Sequence, residues 1–478
     1  MTKSKIPLTA GKLFVFVILV LASVSAFAQE TLWTRTYGGS GDDIAASVQL
    51  TSDGGYIIVG YTRSFCASGS CIWLIKTNTC GDTIWTRTYD WPYSSEEWLE
   101  SAECLQQTAD GGYIITGISH AVWSPYADLV LMKTDSLGNM EWIRTYGGGN
   151  FDYGNSVKQT PDAGYIVRGN TLSFGAGGLD IWVLKTDSEG DTICDNCWAR
   201  TYGGGGWDGG TGLLRTSDGG YLITGDTWSY GAGGNDAYLI KIDSTGHALW
   251  TRTYEAYGYD CANIAQKTFD GGYIMAGWTS ISSYSPGVTD VYVIRTDSLG
   301  YDTCSNCWTR TYGGDSGVEH GVSAFQTADG GYILTGSTTS FGAGGSDIWL
   351  IKTDSAGNIL WDTTYGGSAD DRAAAAQLTP DEGYIIILGT TSSLGAGGWD
   401  VWLIKASIGG PVYILGDANG DGVINVVDVV YLINYLFISG PAPNPVESGD
   451  VNCDHTINAA DVVYLINYLF IKGPPPCR

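Results

Sequence analysis

The chain has 478 residues, 44% of them apolar and 12% aromatic, so it is long enough for a large packed core and more than one domain. Its 50 acidic residues against 24 basic ones give a net charge of −26, which disfavours nucleic acid and anionic membranes as partners and favours cations such as calcium. The 69 glycines follow no Gly-X-Y period, which excludes a collagen-like chain and indicates many turns.

Residues 1–28 have the pattern of a secretory signal peptide. Lys3, Lys5 and Lys12 precede or flank an apolar run, and Ala26-Phe27-Ala28 provides a small-x-small cleavage site. The run is short for a membrane-spanning helix, and no later stretch reaches the required ~20 apolar residues. We therefore expect a protein that is secreted or attached to the cell surface, with no membrane span in its mature form.

A long repeat follows, which we align on one tryptophan per copy. The spacing runs from 52 residues (Trp33 to Trp85) to 58 (Trp250 to Trp308), a period typical of propellers and solenoids. The sixth copy shows four strand-like runs, at 321–326, 332–338, 348–353 and 359–365, separated by a DGG turn, an SFGAGGSD loop and a second turn. Four strands per repeat predict a propeller blade. The seven tryptophans are Trp33, Trp85, Trp142, Trp198, Trp250, Trp308 and Trp361.

The phase of the repeat predicts that the ring is closed. A fourth-type strand at 31–37 precedes any first strand, and the last repeat stops at a third-type strand, 401–405. Together these fragments complete one blade and remove the exposed edges of an open array. We predict an all-β, seven-bladed propeller over residues 29–407, with an open solenoid as the alternative.

Two repeat positions carry more than half of the basic residues, and we interpret them as scaffold. Another recurrent feature is a glycine inside each second strand, such as Gly225, which predicts close approach of a neighbouring backbone. The second strand of blade seven is one residue longer, and we expect a bulge there. The basic positions are Arg35, Arg87, Arg144, Arg200, Arg252 and Arg310 in fourth strands, and Lys76, Lys133, Lys185, Lys241, Arg295, Lys352 and Lys405 in third strands.

Carboxylates also follow the repeat, at the start of the first strand and before the third. They predict an acidic ring at the channel mouth, on the face that carries the GAGGxD loops. The ring is either a cation or ligand site or, as we favour, a set of carboxylates that accept hydrogen bonds from their own loops. The two sets are Asp43, Glu97, Asp152, Asp208, Asp260, Glu319 and Asp371, and Asp128, Asp180, Asp236, Asp290, Asp347 and Asp400.

Residues that depart from the repeat on this face are candidate ligand contacts. They place aromatic rings beside carboxylates, which suits stacking on a sugar ring, although drifted surface loops would look the same. Glycoside hydrolysis needs two carboxylates, for which Glu97, Asp260 and Glu319 are candidates; we favour binding without catalysis. The candidate contacts are Trp91, Trp123, Tyr126, Trp207, Tyr257, Tyr259 and His320, with Trp228 and Trp399 nearby.

Eleven cysteines in an exported protein predict disulfides. A zinc site built from two CxxC pairs is the alternative, which we disfavour because the pairs occupy equivalent turns of different repeats. Cys80, Cys104 and Cys261 form an odd set, so we expect a free thiol. The predicted pairs are Cys66 with Cys71, Cys194 with Cys197, Cys304 with Cys307, and Cys453 with Cys477.

After a linker at 408–415, residues 416–478 contain two calcium-loop patterns. Oxygen ligands stand at positions 1, 3, 5, 9 and 12, with a backbone or side-chain oxygen at position 7. Each loop leads into DVVYLINYLFI, whose first copy places Val429, Leu432, Ile433, Leu436 and Phe437 on one helical face. We predict two calcium ions. Their ligands are Asp417, Asn419, Asp421, Val423, Asn425 and Asp428 in the first loop, and Asp450, Asn452, Asp454, Thr456, Asn458 and Asp461 in the second.

This duplicated loop and helix, with Asp at position 12, resembles a type I dockerin, a calcium-dependent module that binds a cohesin domain of a scaffold or surface protein. The resemblance implies partner recognition at loop positions 10 and 11, which are Val426, Val427, Ala459 and Ala460. The repeats look like DGGY-type propeller repeats of secreted bacterial proteins. We thus expect a dockerin-bearing binding or display propeller linked to polysaccharide recognition or breakdown; the alternative is a dockerin-borne glycoside hydrolase or polysaccharide lyase.

Overall fold

A computed structural model describes most of the chain, and its larger part is a ring of seven four-stranded antiparallel sheets. Within each sheet the strands follow one another from the channel outwards, so consecutive strands form hairpins. The described residues are 31–67, 69–90, 101–120, 126–232, 234–256, 258–280, 287–380, 383–408, 416–419, 424–438, 440–443, 446–452, 456–471 and 473.

The strands are numbered along the chain, and blade one begins with β2. The innermost, first strands are β2 (Asp43–Leu50), β6 (Ser101–Gln107), β10 (Asp152–Gln159), β14 (Asp208–Arg215), β18 (Asp260–Lys267), β22 (His320–Gln326) and β26 (Asp371–Leu378). The second strands are β3 (Tyr56–Thr62), β7 (Tyr113–His120), β11 (Tyr165–Thr171), β15 (Tyr221–Thr227), β19 (Tyr273–Ser280), β23 (Tyr332–Thr338) and β27 (Tyr384–Thr391).

The outer half of each blade completes the sheet. The third strands are β4 (Cys71–Thr77), β8 (Ala127–Thr134), β12 (Asp180–Thr186), β16 (Asp236–Ile242), β20 (Thr289–Thr296), β24 (Asp347–Thr353) and β28 (Asp400–Ser407). The fourth strands are β5 (Thr83–Tyr89), β9 (Met140–Tyr146), β13 (Trp198–Tyr202), β17 (Ala248–Tyr254), β21 (Trp308–Tyr312), β25 (Ile359–Tyr365) and, for blade seven, β1 (Thr31–Tyr37).

The ring closes through the pairing of the first and last strands. β1 pairs with β28, with Trp33 opposite Lys405 and Tyr37 opposite Val401. First strands of neighbouring blades contact each other all the way round, including β2 with β26. The seven-bladed propeller is therefore confirmed, and the open solenoid is wrong.

The core lies between blades rather than at one centre. Seven clusters of buried apolar side chains each combine two neighbouring blades, as in the cluster that joins Trp308 of blade five to Tyr332 of blade six. A polar contact repeats beside these clusters: the fourth-strand tyrosine donates its hydroxyl to a turn carbonyl of the next blade. Tyr254 reaches the carbonyl oxygen of Gly300 at 2.7 Å in this way.

Repeat-position basic residues in third strands are scaffold, as predicted. Lys241 is buried and its ammonium group lies 2.9 Å from the carboxylate of Asp218, in the DGG turn of the same blade. The same pairing joins Lys76 to Asp53 at 2.9 Å. In blades one to six this ion pair ties the third strand to the hairpin turn between the first two strands.

The recurrent second-strand glycines permit a close backbone approach, as predicted. A Cβ on Gly225 would lie 1.9 Å from the carbonyl oxygen of Gly209 in the neighbouring first strand. The bulge predicted in the second strand of blade seven is wrong, because β27 pairs with β28 without a register shift. The extra residue instead lengthens the preceding turn, where the amide of Thr379 bonds to the carbonyl of Tyr384.

Three of the predicted disulfides form within single loops or turns: Cys66 with Cys71, Cys194 with Cys197, and Cys304 with Cys307. The first replaces the link that an aspartate makes in other blades, such as the bond from the amide of Ala396 to Asp400 at 2.8 Å. Among the described cysteines, Cys80, Cys104 and Cys261 are not in disulfides. The predicted pair Cys453 and Cys477 lies outside the described residues.

The C-terminal part contains two helices, α1 (Val426–Ile438) and α2 (Ala459–Ile471), and a short 3₁₀ helix (Val446–Gly449). Val429 and Leu432 of α1 pack with Val462 and Leu465 of α2 in a small core. The predicted apolar face is confirmed except at Phe437, which is 65% exposed. No helix in the described part of the chain has the length and hydropathy of a membrane span.

Candidate functional sites: the propeller loop face and the calcium loops

The recurrent carboxylates lie at the junctions between blades and not in an exposed ring. Asp43, Asp208 and Glu319 are fully buried. Asp208 accepts bonds from the amide of Gly204 at 2.7 Å and the hydroxyl of Ser229 at 2.5 Å. The recurrent carboxylates are therefore buried rather than open to a ligand, and the favoured interpretation, that they accept bonds from their own loops, is confirmed for these three residues.

Each third-strand aspartate faces a first-strand carboxylate of the next blade. Both Asp347 and Asp371 are buried, and a Cβ on Gly366 between them would lie 1.6 Å from Oδ1 of Asp347 and 2.8 Å from Oδ2 of Asp371. Burial raises the pKa of Asp347, and the charge of Asp371 raises it further. Glycine leaves room at this place for the two carboxylates, which would otherwise meet a Cβ atom.

The described catalytic candidates belong to the same structural set. Glu319 is fully buried and accepts bonds from the hydroxyl of Thr338 at 3.0 Å and the amide of Ser340 at 3.1 Å. Asp260, also fully buried, accepts a bond from the amide of Ala256 at 2.8 Å. Glu97 lies outside the described residues, and the two described candidates, Asp260 and Glu319, are not on an open surface.

Exposed aromatic side chains gather on the loop face of blades four and five. Trp207 and Trp228 are 59% and 51% exposed, and the amide of Trp228 bonds to the carbonyl of Trp207 at 2.9 Å. The ring of Tyr259 lies 5.4 Å from that of Trp228. We call Trp207, Trp228 and Tyr259 the aromatic cluster.

Of the other aromatic candidates in the loops, one packs against a second exposed ring, and three lie in segments that the structure does not describe. Tyr126 packs against the half-exposed ring of Phe151 at 5.1 Å, where blades two and three meet. Phe151 occupies the repeat position of Trp207. Its carbonyl accepts a bond from the amide of Leu172, as the carbonyl of Trp207 does from the amide of Trp228. Trp91, Trp123 and Tyr257 lie outside the described residues.

The channel is polar on one side and apolar on the other. Every first strand has one residue displaced from register by a bulge, and several of these residues line a cavity of about 480 Å³. They are polar in blades two to five and apolar in blades six, seven and one. In ring order from blade one they are Ala46, Glu103, Asn155, Thr211, Asn263, Val322 and Ala374.

A buried charged group stands behind the polar side of the channel. Arg168 of β11 is fully buried, and none of its guanidinium nitrogens has a hydrogen-bond partner among the described residues. Burial lowers the pKa of Arg168 to about 9, although Tyr153 and Asp226 partly oppose this shift. Asp226 accepts a bond from the side-chain amide of Asn235 at 2.8 Å. The site thus holds opposite charges that are near each other but not in direct contact.

Basic and aromatic side chains mark the mouth on blades five to seven. The ring of His320 stacks on Trp278 at 5.6 Å and 26°. Arg372, whose side chain is 59% exposed, places its guanidinium carbon 5.3 Å from the ring centre of Trp399. Burial lowers the pKa of His320, and the charge of Arg372 lowers it further, which favours a neutral imidazole. We call these four residues the basic mouth.

In the C-terminal part, the described ends of both calcium-loop patterns converge on the aspartate at position 12. Asp428 is fully buried and accepts bonds from the amides of Asn419 at 3.2 Å and Asn425 at 2.8 Å. Asp461 accepts bonds from the amides of Val451 at 2.8 Å and Asn458 at 2.9 Å. Each loop therefore closes around a buried carboxylate. The predicted ligands Asp421, Val423 and Asp454 lie outside the described residues.

The chemistry of this part fits calcium. Its described loop residues offer carboxylate, amide and hydroxyl oxygens, the hard donors that calcium takes. The sequence has no Lys or Arg from Gly416 to Ile471, so no permanently charged basic side chain of this stretch offsets its carboxylates. Residues 415–470 match the family described as Dockerin type I domain.

Residues 415–470 form a type I dockerin domain.

Domains of this type bind calcium, imply a cohesin partner and are typical of extracellular or cell-surface proteins. In this dockerin, the proposed recognition residues Val426 and Val427 are 53% and 51% exposed at the start of α1. Ala459 and Ala460 are exposed at the start of α2. The amides of Val427 and Ala460 bond to the asparagine at loop position 9, which caps the helix.

Comparisons of the whole chain add no family for the propeller. A comparison with curated proteins finds no match. Among solved structures, a protein of unknown function from Dyadobacter fermentans is 12% identical over 80% of this chain and 99% of its own, with a TM-score of 0.43. An α-L-arabinanase from Penicillium chrysogenum, complexed with arabinobiose, is 11% identical over 63% and 91%, with a TM-score of 0.40. We draw no conclusion from likenesses at this level.

Several residues of the channel and mouth lie in strands, so a comparison of the loops alone does not identify them. Arg168, Asp226 and Trp278 lie in second strands, next to the recurrent glycine. The position before that glycine holds Arg in blade three but Val, Thr, Ala or Leu in the other six blades. Aligning the strands residue by residue would have identified these departures, because charged and bulky residues replace small or aliphatic ones there.

Proposed function

We propose that this protein is a secreted, calcium-binding propeller that its dockerin domain attaches to a cohesin-bearing scaffold, and that its loop face binds polysaccharide without cleaving it. The observation that carries the binding function is the aromatic cluster. Large exposed aromatic groups on a protein surface commonly mark interaction sites, and the flat apolar faces of pyranose rings stack on indole rings.

Comparison with the other blades supports a ligand role for these tryptophans. Trp207 and Trp228 are joined by a backbone hydrogen bond that recurs in the ring, but the side chains at the two positions differ. In blade one the same positions hold Asp42 and Arg63, which form an exposed ion pair at 3.5 Å. The scaffold therefore has no need of aromatic rings at this place.

The carboxylates favour binding over turnover. A glycosidase needs an acid and a second carboxylate that reach the scissile bond from an open site. Asp260 and Glu319 are fully buried and bonded to the protein's own groups, which leaves them poorly placed for that work. This supports the non-catalytic function and weakens the case for a glycoside hydrolase or lyase built on these two residues.

Substitution of the cluster tests the polysaccharide function. Binding of the full chain to a panel of soluble polysaccharides would be measured by affinity electrophoresis for the parent, Trp207→Ala and Trp228→Ala. Each change should weaken binding up to about tenfold, because an aromatic contact contributes ~0.5–1.5 kcal/mol. Phe269→Ala is a matched control, since Phe269 is 65% exposed in a DGG turn on the opposite face.

A reducing-sugar assay on the same panel separates binding from catalysis. Binding that depends on Trp207 and Trp228 with no release of reducing ends would support the proposal. Turnover by the parent would refute the non-catalytic part. Equal affinities of the parent and both tryptophan variants would refute the placement of the site.

The cohesin contact can be tested on the dockerin helices. We propose that Val426, Val427, Ala459 and Ala460 contact the cohesin, and that the two loops hold one calcium ion each. Val427→Asp should weaken binding to recombinant cohesin domains in the presence of calcium. Ile438→Asp is the control, because Ile438 is 68% exposed at the opposite end of the same helix. Undiminished binding of Val427→Asp to a cohesin that binds the parent would contradict the assignment.

A further inference from the structure

The basic residues of the propeller divide into a repeated set and a small set outside the repeat. The repeated third-strand residues make contacts within the scaffold. The ammonium group of Lys241, for example, forms an ion pair with the carboxylate of Asp218 at 2.9 Å. Outside the repeat, three arginines lie in the half of the described propeller nearer the loop face: Arg63, Arg168 and Arg372. Of these three, Arg372 alone combines high exposure, at 59% of its side chain, with a place in an innermost strand.

Arg372 and His320 occupy the same position in neighbouring blades. Each follows the junction carboxylate at the start of its first strand, directly after Asp371 and Glu319 respectively. The same position carries Ile44, Ser101, Tyr153, Gly209 and Cys261 in the other blades. Two adjacent blades therefore place a basic side chain where the repeat itself has no basic residue.

Each of these basic side chains has an aromatic neighbour that is also outside the repeat. Trp278 stacks on His320 at 5.6 Å, and Trp399 lies under the guanidinium of Arg372 at 5.3 Å. Both indoles are half-buried, so each keeps an exposed part. The guanidinium bonds to Asp370 through Nη2 at 3.1 Å, a contact between two exposed groups. Surface ion pairs of this kind contribute little and are readily exchanged for a ligand.

The chemistry of the basic mouth points to an anion on a sugar. An arginine presents a planar set of donors that matches a carboxylate with two parallel hydrogen bonds. Indole rings beside it provide flat apolar surfaces for a pyranose ring. The imidazole of His320, which is exposed at the start of its strand, can form hydrogen bonds with hydroxyl groups.

The opposite side of the channel disfavours the same anion. Glu103 is exposed in the first strand of blade two, whereas the charges of Arg168 and Asp226 behind the polar side are opposite in sign and lie near each other. The exposed carboxylate of Glu103 disfavours an anion on its side of the channel, whereas Arg372 offers an exposed positive charge on blade seven.

We propose that the basic mouth binds a hexuronate unit of an acidic polysaccharide, with the guanidinium of Arg372 on the sugar carboxylate and the rings of Trp278 and Trp399 against the sugar. This rests on the proposed polysaccharide-binding function and names the class of ligand. The aromatic cluster of blades four and five is a separate contact and does not by itself distinguish neutral from acidic chains.

The test compares acidic and neutral chains on the full-length protein in the presence of calcium. Polygalacturonate is the acidic probe and xylan free of uronate branches is the neutral one. We expect the parent to bind polygalacturonate more tightly, with affinity that falls as sodium chloride rises. Arg372→Gln should lose at least about tenfold in affinity for polygalacturonate and change little for xylan, because a hydrogen bond between charged groups is lost.

Arg310→Gln is the matched control. It removes the same charge from an exposed arginine that also lies over a tryptophan, Trp308, but in the outermost strand of blade five. Melting temperatures equal to the parent's would show that both variants fold. Trp278→Ala should reduce affinity for polygalacturonate as well.

Three results would overturn the proposal in distinguishable ways. If Arg372→Gln binds polygalacturonate as the parent does, or if Arg310→Gln loses as much, the carboxylate contact is wrong. If xylan binds through the aromatic cluster and polygalacturonate does not bind, the ligand class is wrong but polysaccharide binding stands. If no polysaccharide of either kind binds, the proposed function fails together with this inference.

Discussion

Removal of calcium should unfold the dockerin helices and leave the propeller folded. Each helix has only thirteen residues, a length at which an isolated helix is marginal in water. Their shared core contains six buried apolar residues, among them Leu432 and Leu465. Asp428 and Asp461 are fully buried, and the sequence around them provides no Lys or Arg from Gly416 to Ile471. Without the ion, these buried carboxylates lose their counter-charge.

The size of the effect can be estimated from the size of the domain. At roughly 0.05–0.15 kcal/mol per residue, a domain of this length has a stability of about 3–8 kcal/mol. An ion present at a hundred times its dissociation constant stabilises the folded state by about 2.7 kcal/mol, so two ions contribute about 5 kcal/mol. The calcium contribution is therefore comparable with the whole stability of the domain, and the metal-free form should be largely unfolded.

Hydrogen exchange detected by mass spectrometry measures this directly. In the presence of EDTA, the amides of α1 and α2 should lose protection by about a hundredfold or more, whereas strands such as β11 and β23 should keep theirs and serve as the internal control. Asp428→Asn and Asp461→Asn should each weaken calcium binding and lower protection at a fixed calcium concentration. Helices that stay equally protected with EDTA would refute the dependence on calcium.

Two further changes test the propeller scaffold. Gly225→Ala places a Cβ 1.9 Å from a backbone carbonyl and should cost ~1–3 kcal/mol in denaturant unfolding, whereas Gly205→Ala, with nothing within 4 Å, should be neutral; equal midpoints would contradict the packing argument. A hydrogen bond from Thr216, with Lys241 adding, lowers the pKa of Asp218 from 3.8 to about 2, so its stabilisation is present above pH 4 and is lost towards pH 2. The difference in melting temperature between the parent and Asp218→Asn should therefore be present at pH 6 and disappear near pH 2; a difference that persists in acid would refute this account.

The fold could be predicted because every blade repeats the same pattern of strands and turns. The position of the strands, the hairpin turns and the pairing of β1 with β28 all follow from the period and its phase. With seven copies, a strand or turn that is unclear in one copy can be recognised from the others, which a single four-stranded sheet would not allow. The one wrong detail, a bulge in blade seven, arose because an extra residue can be absorbed by either a strand or a turn, and only the register decides between them.

The sites were less predictable because they depend on residues from different blades. Stacking of Trp278 on His320 joins a second strand of blade five to a first strand of blade six, which no spacing within one copy shows. Phe437 belongs to the apolar stripe of its helix but is 65% exposed, which the spacing alone does not show. The calcium-loop residues were visible because all the ligands of one ion come from twelve consecutive positions.

The same residue type serves two purposes in this chain, and the surroundings decide which. In the propeller, a junction carboxylate such as Glu319 is fully buried and accepts bonds from hydroxyl and amide groups of the blade itself. Ligand contacts must then come from side chains that the scaffold does not use. The aromatic cluster and the basic mouth meet that condition, because equivalent positions in other blades hold smaller or differently charged residues and the blades still form. When neighbouring blades of a repeat protein depart from the repeat on the same face, and the departing side chains have complementary chemistry, a ligand is expected to bind there. For this reason the aromatic cluster and the basic mouth, and not the repeated carboxylates, carry the proposed function.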